Sequence, residues 1–413
     1  MAINRRVFLH TSITSALISF FDLPKTSADV LAKPNFGGRL LTLGAYGEVF
    51  RTEDTYTQKS RLSILTELDL SSGKYRQLKL ELVDGHQVVP LDSSRLLCVP
   101  YLGPTAQIVD MTSLTVTGQL SAAEGFLFAG HAIKLNNLIY LPSKSNDSDS
   151  KNLKNGQIHI FEISSNKLVK CGDSGGIWPH DLVFLPGEEM LVVGHTGTNG
   201  PASPDQLYLY SNKKSCLTVL NAKSLDVQKI IKTPGLSPSH LAVDPAGQIY
   251  STSVQWVRFN NDGFKFVSRD FDEKQHVFRL AHSEYEEKRL STPEPVLVVN
   301  ANSGKMVRIL KDPNLQRRPV AIVYHPVAKS IFITFSHSDT LFKINCNNLT
   351  TEIVSAFELG ISEIRGLYPI QNSSLLAVGG KFRGVALINA LDLSVHKRYD
   401  VPLFYSTHLT HLV

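Results

Sequence analysis

A chain of 413 residues with 42% hydrophobic and 19% charged side chains can bury a sizeable core, which excludes an intrinsically disordered protein. Its net charge of +5 comes from 42 basic residues scattered among 37 acidic ones rather than gathered into a stripe, so nucleic acid is not an expected partner. The four cysteines, Cys98, Cys171, Cys216 and Cys346, form no C-x-x-C pair, which excludes the usual zinc-finger and dithiol motifs; an oxidising compartment would permit a disulfide, but the sequence does not choose its pair.

The chain opens on Asn4-Arg5-Arg6-Val7-Phe8-Leu9-His10, which resembles a twin-arginine export signal. The apolar stretch from Val7 to Phe21 is interrupted by His10, Thr11, Ser12, Thr14, Ser15 and Ser19 and is too short to span hydrocarbon, so it reads as the hydrophobic part of a leader. Small residues offer cleavage after Ala28 or Ala32. The expected division is therefore a signal peptide over 1–32 and one folded domain over 33–413, delivered to the periplasm. No later segment has eighteen continuous apolar residues, so the mature chain is expected to have no transmembrane helix.

Beyond Pro34, apolar runs of four to seven residues alternate with Gly, Pro, Asn, Asp and Ser, the pattern of many short strands. The first, Arg39 to Leu43, looks like the second strand of a repeat unit. The unit itself, an apolar strand, a tight turn and a second apolar strand, then appears at His86-Gln87-Val88-Val89-Pro90, at His131-Ala132-Ile133 and at His180-Asp181-Leu182-Val183-Phe184. It recurs at Ser239-His240-Leu241-Ala242-Val243, at Val320-Ala321-Ile322-Val323 and at Arg365-Gly366-Leu367. Spacings of 45, 49, 60, 80 and 45 residues separate these copies, close to the period of a four-stranded propeller blade with loop insertions. The widest gap is read as one blade whose outer strands lie between Phe259 and Asn314, with a polar insertion around 282–293. The last segment, Ser406 to Leu412, looks like a first strand with nothing after it. The expected fold is thus all-β, a seven-bladed β-propeller whose ring is closed by the C-terminal strand pairing into the N-terminal blade, leaving no open sheet edge.

Five of the seven inner strands begin at or beside a histidine: His86, His131, His180, His240 and His408. Imidazoles converging from several blades on one channel mouth would form a nitrogen-rich site suited to a transition metal such as iron, copper or zinc. Asp181 is a candidate outer acceptor, and Trp178, His195, Gln255, Trp256 and Arg365 are further candidates for contact with a ligand or with the metal-binding rings. A Gly-His pair before an inner strand is also a structural device of WD-repeat propellers, although the Trp-Asp partner of that device is missing here.

From Phe128 to Trp256 the chain resembles an uncharacterised family of exported bacterial propellers. The residues that carry the resemblance are Gly130-His131, Gly156-Gln157-Ile158, Pro179-His180-Asp181-Leu182, His240-Leu241-Ala242-Val243 and Gln255-Trp256. It departs from that family's pattern at Ser145-Asn146-Asp147 and at Gly194-His195-Thr196-Gly197. Members of the family are often encoded beside periplasmic iron-uptake or imelysin-like proteins, so the resemblance implies the fold, the compartment and a link to iron or metal handling, with iron-uptake proteins as partners.

Three functions follow as alternatives. The first is a periplasmic propeller that binds a metal ion or small ligand at the histidine rim, accessory to iron or metal acquisition. The second is a lactonase-like or lyase-like enzyme with a rim histidine as general base, supported by Asp181 or Glu48. The third is a protein-interaction scaffold using Trp178 and Trp256 as aromatic anchors. Nucleotide and zincin chemistry are not expected, since no Walker loop and no His-Glu-x-x-His occurs.

Overall fold

The computed structural model describes residues 37–46, 62–82, 84–146, 154–197, 215–233, 236–254, 269–272, 277–280, 294–404 and 406–412. The expected leader over 1–32, Glu48, Gln255 and Trp256 lie outside the described residues. Within them the fold is all-β, interrupted by one capped helical turn, Ala356–Leu359.

Most strands associate locally, pairing antiparallel with their neighbours in the chain. Pro179–Phe184, Met190–His195, Cys216–Asn221 and Val227–Lys232 form one four-stranded sheet in sequence order. The same order holds for Pro319–His325, Ser330–Phe335, Thr340–Asn345 and Thr351–Ser355, and for Ile364–Pro369, Leu375–Gly380, Arg383–Asn389 and Val395–Pro402. A nine-stranded sheet joins two such sets. One is Gly85–Pro90, Arg95–Gly103, Thr105–Asp110 and Thr115–Ser121. The other runs from Phe126–Ala129 and Ile133–Leu135 through Leu138–Ser145 and Gln157–Glu162 to Lys167–Asp173. The two meet where Tyr101 pairs with Ala129 and Gly103 with Phe128.

Side-chain chemistry explains the layering within each set. Second strands such as Ser330–Phe335 and Leu375–Gly380 are buried throughout and largely apolar, whereas last strands such as Lys167–Asp173 and Val227–Lys232 are largely exposed. The core lies between successive sets: Val89, Leu97 and Ile108 of one pack against Phe128, Ile139 and Phe161 of the next. Several outer hairpins turn on an Asp or Asn that accepts a backbone N–H three residues on, as Asp110 does from Ser113 at 2.8 Å and Asn221 from Ser224 at 2.8 Å.

The long gap holds a single set whose outer strands fall inside the expected 259–314 window. Ser237–Val243 and Gln248–Val254 are completed by Val296–Asn300 and Met306–Ile309, so the outer strands occupy only the end of the 259–314 window. The insertion before them carries a two-stranded hairpin, Arg269–Asp272 with Val277–Leu280.

The two ends of the described chain meet. Arg39–Tyr46 pairs on one side with Leu62–Asp69, which continues to Tyr75–Leu80, and on the other with Ser406–Leu412. Ser406–Leu412 therefore forms one edge of this four-stranded sheet, next to Arg39–Tyr46.

Candidate metal centre

The first strands share a feature that their sequences do not announce. In six of them the ladder slips by one residue near its start, so that one residue is extra relative to the partner strand. The slip falls at His86, between Gly85 and Gln87, and at His180, between Pro179 and Asp181. It falls at Ser239-His240, between Pro238 and Leu241, and at Thr407-His408, opposite Leu43. It falls again at Val320 and at Arg365. At His131 the strand is broken instead, between Phe126–Ala129 and Ile133–Leu135. A bulge re-aims the side chain it carries. In four of these strands a non-glycine residue two positions earlier holds positive φ: Asp84 at 49°, Trp178 at 52°, Arg318 at 58° and Glu363 at 50°.

The bulges bring the five predicted histidines together. The His131 ring centroid lies 4.9 Å from that of His86, 4.7 Å from His180, 5.0 Å from His240 and 4.7 Å from His408. One nitrogen from each of His86, His131, His180 and His240 falls within a span of 4.8 Å. The Nε2 of His86 lies 3.2 Å from the Nε2 of His131 and 3.2 Å from the Nε2 of His408.

Outer contacts fix which nitrogens face inward. The Nδ1 of His180 lies 3.0 Å from the Ala129 carbonyl oxygen, an acceptor, so Nδ1 carries the proton and Nε2 a lone pair. The Nδ1 of His131 lies 3.3 Å from Asp181 Oδ1. Leu182 N–H donates to Oδ1 and Leu241 N–H to Oδ2 of that carboxylate, so Asp181 presents an acceptor to His131 and ties its ring to the two neighbouring first strands. His131 Nε2 is then also a bare donor atom, the arrangement typical of metal-ligating imidazoles.

Burial governs the protonation of this group. His131, His180 and His240 are buried, whereas His86 and His408 keep some exposure to solvent. Burial, reinforced by neighbouring imidazoles and by the Arg365 guanidinium, holds His86 and His240 well below the usual imidazole range. Burial and the other rings do the same to His131. His180 is lowered to about 4 by burial and His408 to about 3 by burial, His180 and Arg365. Asp181 is pushed up to about 7 by burial, against its two backbone hydrogen bonds. The rings are therefore neutral at pH 7, the state a metal ion requires.

The other predicted site residues divide. Arg365 occupies the same bulge position as the histidines and is buried, 7% exposed. Trp178 flanks the cluster through Tyr101, whose ring lies 6.5 Å from Trp178, 5.2 Å from His86 and 5.6 Å from His180. Trp178 is itself buried, with Lys144 Nζ 4.6 Å over its ring, which removes it as an exposed docking anchor. His195 belongs elsewhere: its Nε2 lies 3.1 Å from Ser174 Oγ and its ring packs under Gly176. Gly172-Asp173-Ser174-Gly175-Gly176 has the Gly-x-Ser-x-Gly spacing of a nucleophile elbow, yet Ser174 and His195 are both wholly buried, so the pair ties adjoining sheets and does not meet a substrate. Sequence reasoning missed Tyr101, which no local pattern marks, and Gln87, whose Oε1 accepts the Ala132 N–H at 2.7 Å.

Gly130 shows how closely the rings are fitted. Its φ is +102°, and a Cβ there would lie 2.7 Å from His86 Cδ2. Gly130→Ala is expected to displace His86 and to lower unfolding free energy by roughly 1–3 kcal/mol, read by urea denaturation.

Residues 100–290 match a protein family described as "Protein of unknown function (DUF1513)". That span contains His131, His180, Asp181 and His240, while His86, Arg365 and His408 lie outside it. The match supports the resemblance to an uncharacterised family, and its description assigns no activity. No curated protein matches the chain.

Proposed function

We propose that the chain is a periplasmic metal-binding protein, built as a seven-bladed β-propeller whose first strands direct histidines onto one transition-metal site. The propeller reading is supported by the succession of antiparallel sets in chain order and by the pairing of Ser406–Leu412 with Arg39–Tyr46, which would latch the last blade into the first. The twin-arginine-like leader supports export. A role accessory to iron or metal acquisition, beside iron-uptake proteins, rests on the family resemblance.

The observation that carries the metal reading is the convergence of one nitrogen from each of His86, His131, His180 and His240 within 4.8 Å of one another in a neutral cluster. His131 Nε2 is an acceptor, so a proton on His86 Nε2 can serve the His86–His131 contact, and one N–H cannot serve His408 equally well. Both nitrogens of His240 are buried without a hydrogen-bond partner. An ion with metal–nitrogen distances of about 2.0–2.1 Å in tetrahedral array spaces its donors by about 3.3 Å, and the His86–His131 edge of 3.2 Å matches that spacing. His86, His131, His180 and His240 would hold the ion, with His408 beside them. All-imidazole donors suit copper, zinc or iron over calcium or magnesium. A bound ion of this kind would supply a Lewis-acidic centre.

The test is elemental analysis of protein purified after export by its own leader, beside a variant with His131, His180 and His240 all changed to alanine. About one equivalent of a transition metal is expected in the wild type and none in the folded variant. A metal-free wild type that also fails to take up Cu(II), Zn(II) or Fe(II) would end the proposal.

A further inference from the structure

Tyr101 stands where the supports of three cluster histidines meet. It lies on Arg95–Gly103, which pairs with Gly85–Pro90, the strand of His86, and with Phe126–Ala129, the strand that leads to His131. Its N–H donates to the Asp84 carbonyl at 2.7 Å, just before the His86 strand begins. Its partner across the second ladder is Ala129, whose carbonyl holds His180 Nδ1. A Cβ on Gly130, the residue before His131, would lie 3.1 Å from Tyr101 Cδ2.

The half-buried Tyr101 ring is wedged between two imidazoles. Its centroid is 5.2 Å from that of His86 at an interplanar angle of 33°, and 5.6 Å from that of His180 at 88°. Those two imidazoles are themselves 5.6 Å apart. Behind the wedge lies the Trp178 ring at 6.5 Å and 31°, packed with Ala129, Ile177 and Leu102. His180 and His131 are oriented by hydrogen-bond acceptors, the Ala129 carbonyl and Asp181, whereas His86 is oriented by this ring. A ligand side chain has to be held to within about 0.5 Å of its working place by hydrogen bonds or packing, and a backed aromatic contact supplies that restraint.

We infer that Tyr101 is a positioning residue of the metal centre that acts through His86: its ring keeps that imidazole turned to the ion, and without it solvent water takes the place of His86. This rests on the metal reading above.

The experiment titrates Co(II) into metal-free protein against a competing chelator and follows the visible Co(II) bands, which weaken as water raises the coordination number. Tyr101→Ala should weaken Co(II) binding by roughly 10–100-fold, the usual effect of losing a group that orients a ligand, and its bands should match those of His86→Ala. In the His86→Ala background the same change should cost about threefold or less, because the two losses are coupled. Tyr101→Phe keeps the ring and should bind within about threefold of the wild type. If Tyr101→Ala does not fold, Tyr101→Leu, which fills the space without a flat ring, is read in its place. An equal loss with and without His86, or wild-type bands and affinity in Tyr101→Ala, would overturn this inference and leave the metal site standing. Binding by Tyr101→Phe as weak as by Tyr101→Ala would overturn it too, since the ring would not then be the agent. Failure of the wild type to take up Co(II) would remove the metal reading and this one with it.

Discussion

Deleting residues 404–413 is expected to cost at least ~5 kcal/mol of stability and to send most of the protein into the insoluble fraction. Ser406–Leu412 pairs along Arg39–Tyr46, whose Leu41 and Leu43 are fully buried, so its loss bares an apolar strand edge of the kind that seeds aggregation. Leu409 is also lost from its seat on Gly366 and Gly379, and truncating a buried leucine costs about 2–5 kcal/mol by itself. The strand is further stitched by the Thr42 hydroxyl donating to the His408 carbonyl at 2.7 Å and by the Thr410 hydroxyl donating to the Val88 carbonyl at 2.7 Å. Thermal melting and a solubility assay check the result. Melting unchanged from the full chain would show that the pairing of the two ends does not support the fold.

The metal-free protein is expected to lose stability steeply as pH falls from about 6.5 towards 4. Unfolded histidines take up protons near 6.5, while folded His180 resists until about 4 and folded His408 until about 3, so the unfolded state binds more protons throughout that window. His86, His131 and His240 shift in the same direction. Each fully buried histidine contributes up to ~1.4 kcal/mol per pH unit, and the partly exposed His86 and His408 contribute less. Asp181 acts oppositely: its carboxyl is raised to about 7 from an ordinary 3.8, so below that pH the folded state takes up a proton that the unfolded state does not, which offsets part of one histidine. Urea denaturation of chelator-treated protein at pH values of about 7, 6 and 5 should show several kcal/mol lost in total. A flat profile would mean that the rings titrate independently and are not clustered. Acid should also release a bound ion, because protons and metal compete for the same nitrogens.

Much of this architecture could be read from the chain. Gly-rich and Asx-rich turns between apolar runs marked the short strands, and His86, His131, His180, His240 and His408 stood out because each leads a first strand. The bulges could not be read, since a bulge is a relation between two ladders and His180 alone does not reveal that it lies between the pairs Pro179–His195 and Asp181–Gly194. Counted along the sequence, His180 and His240 differ by one place, which would turn one side chain away; the slips in both strands restore the common direction. Arg365 was visible as a candidate, but its equivalence to the histidines depends on the same hidden register. The surroundings of His195 could not be read, because they are set by Ser174 and Gly176, which precede the first strand of its own sheet.

The sharing of one nine-stranded sheet by two sets has a mechanical consequence. His86 and His131 come from those two sets, and the Tyr101–Ala129 and Gly103–Phe128 pairs bolt their supports together through the main chain. Between them the gap is pre-set, like the fixed jaw of a vice. His180 and His240 arrive on separate sheets, so their spacing to that pair is set by side-chain packing between sheets and not by a shared ladder.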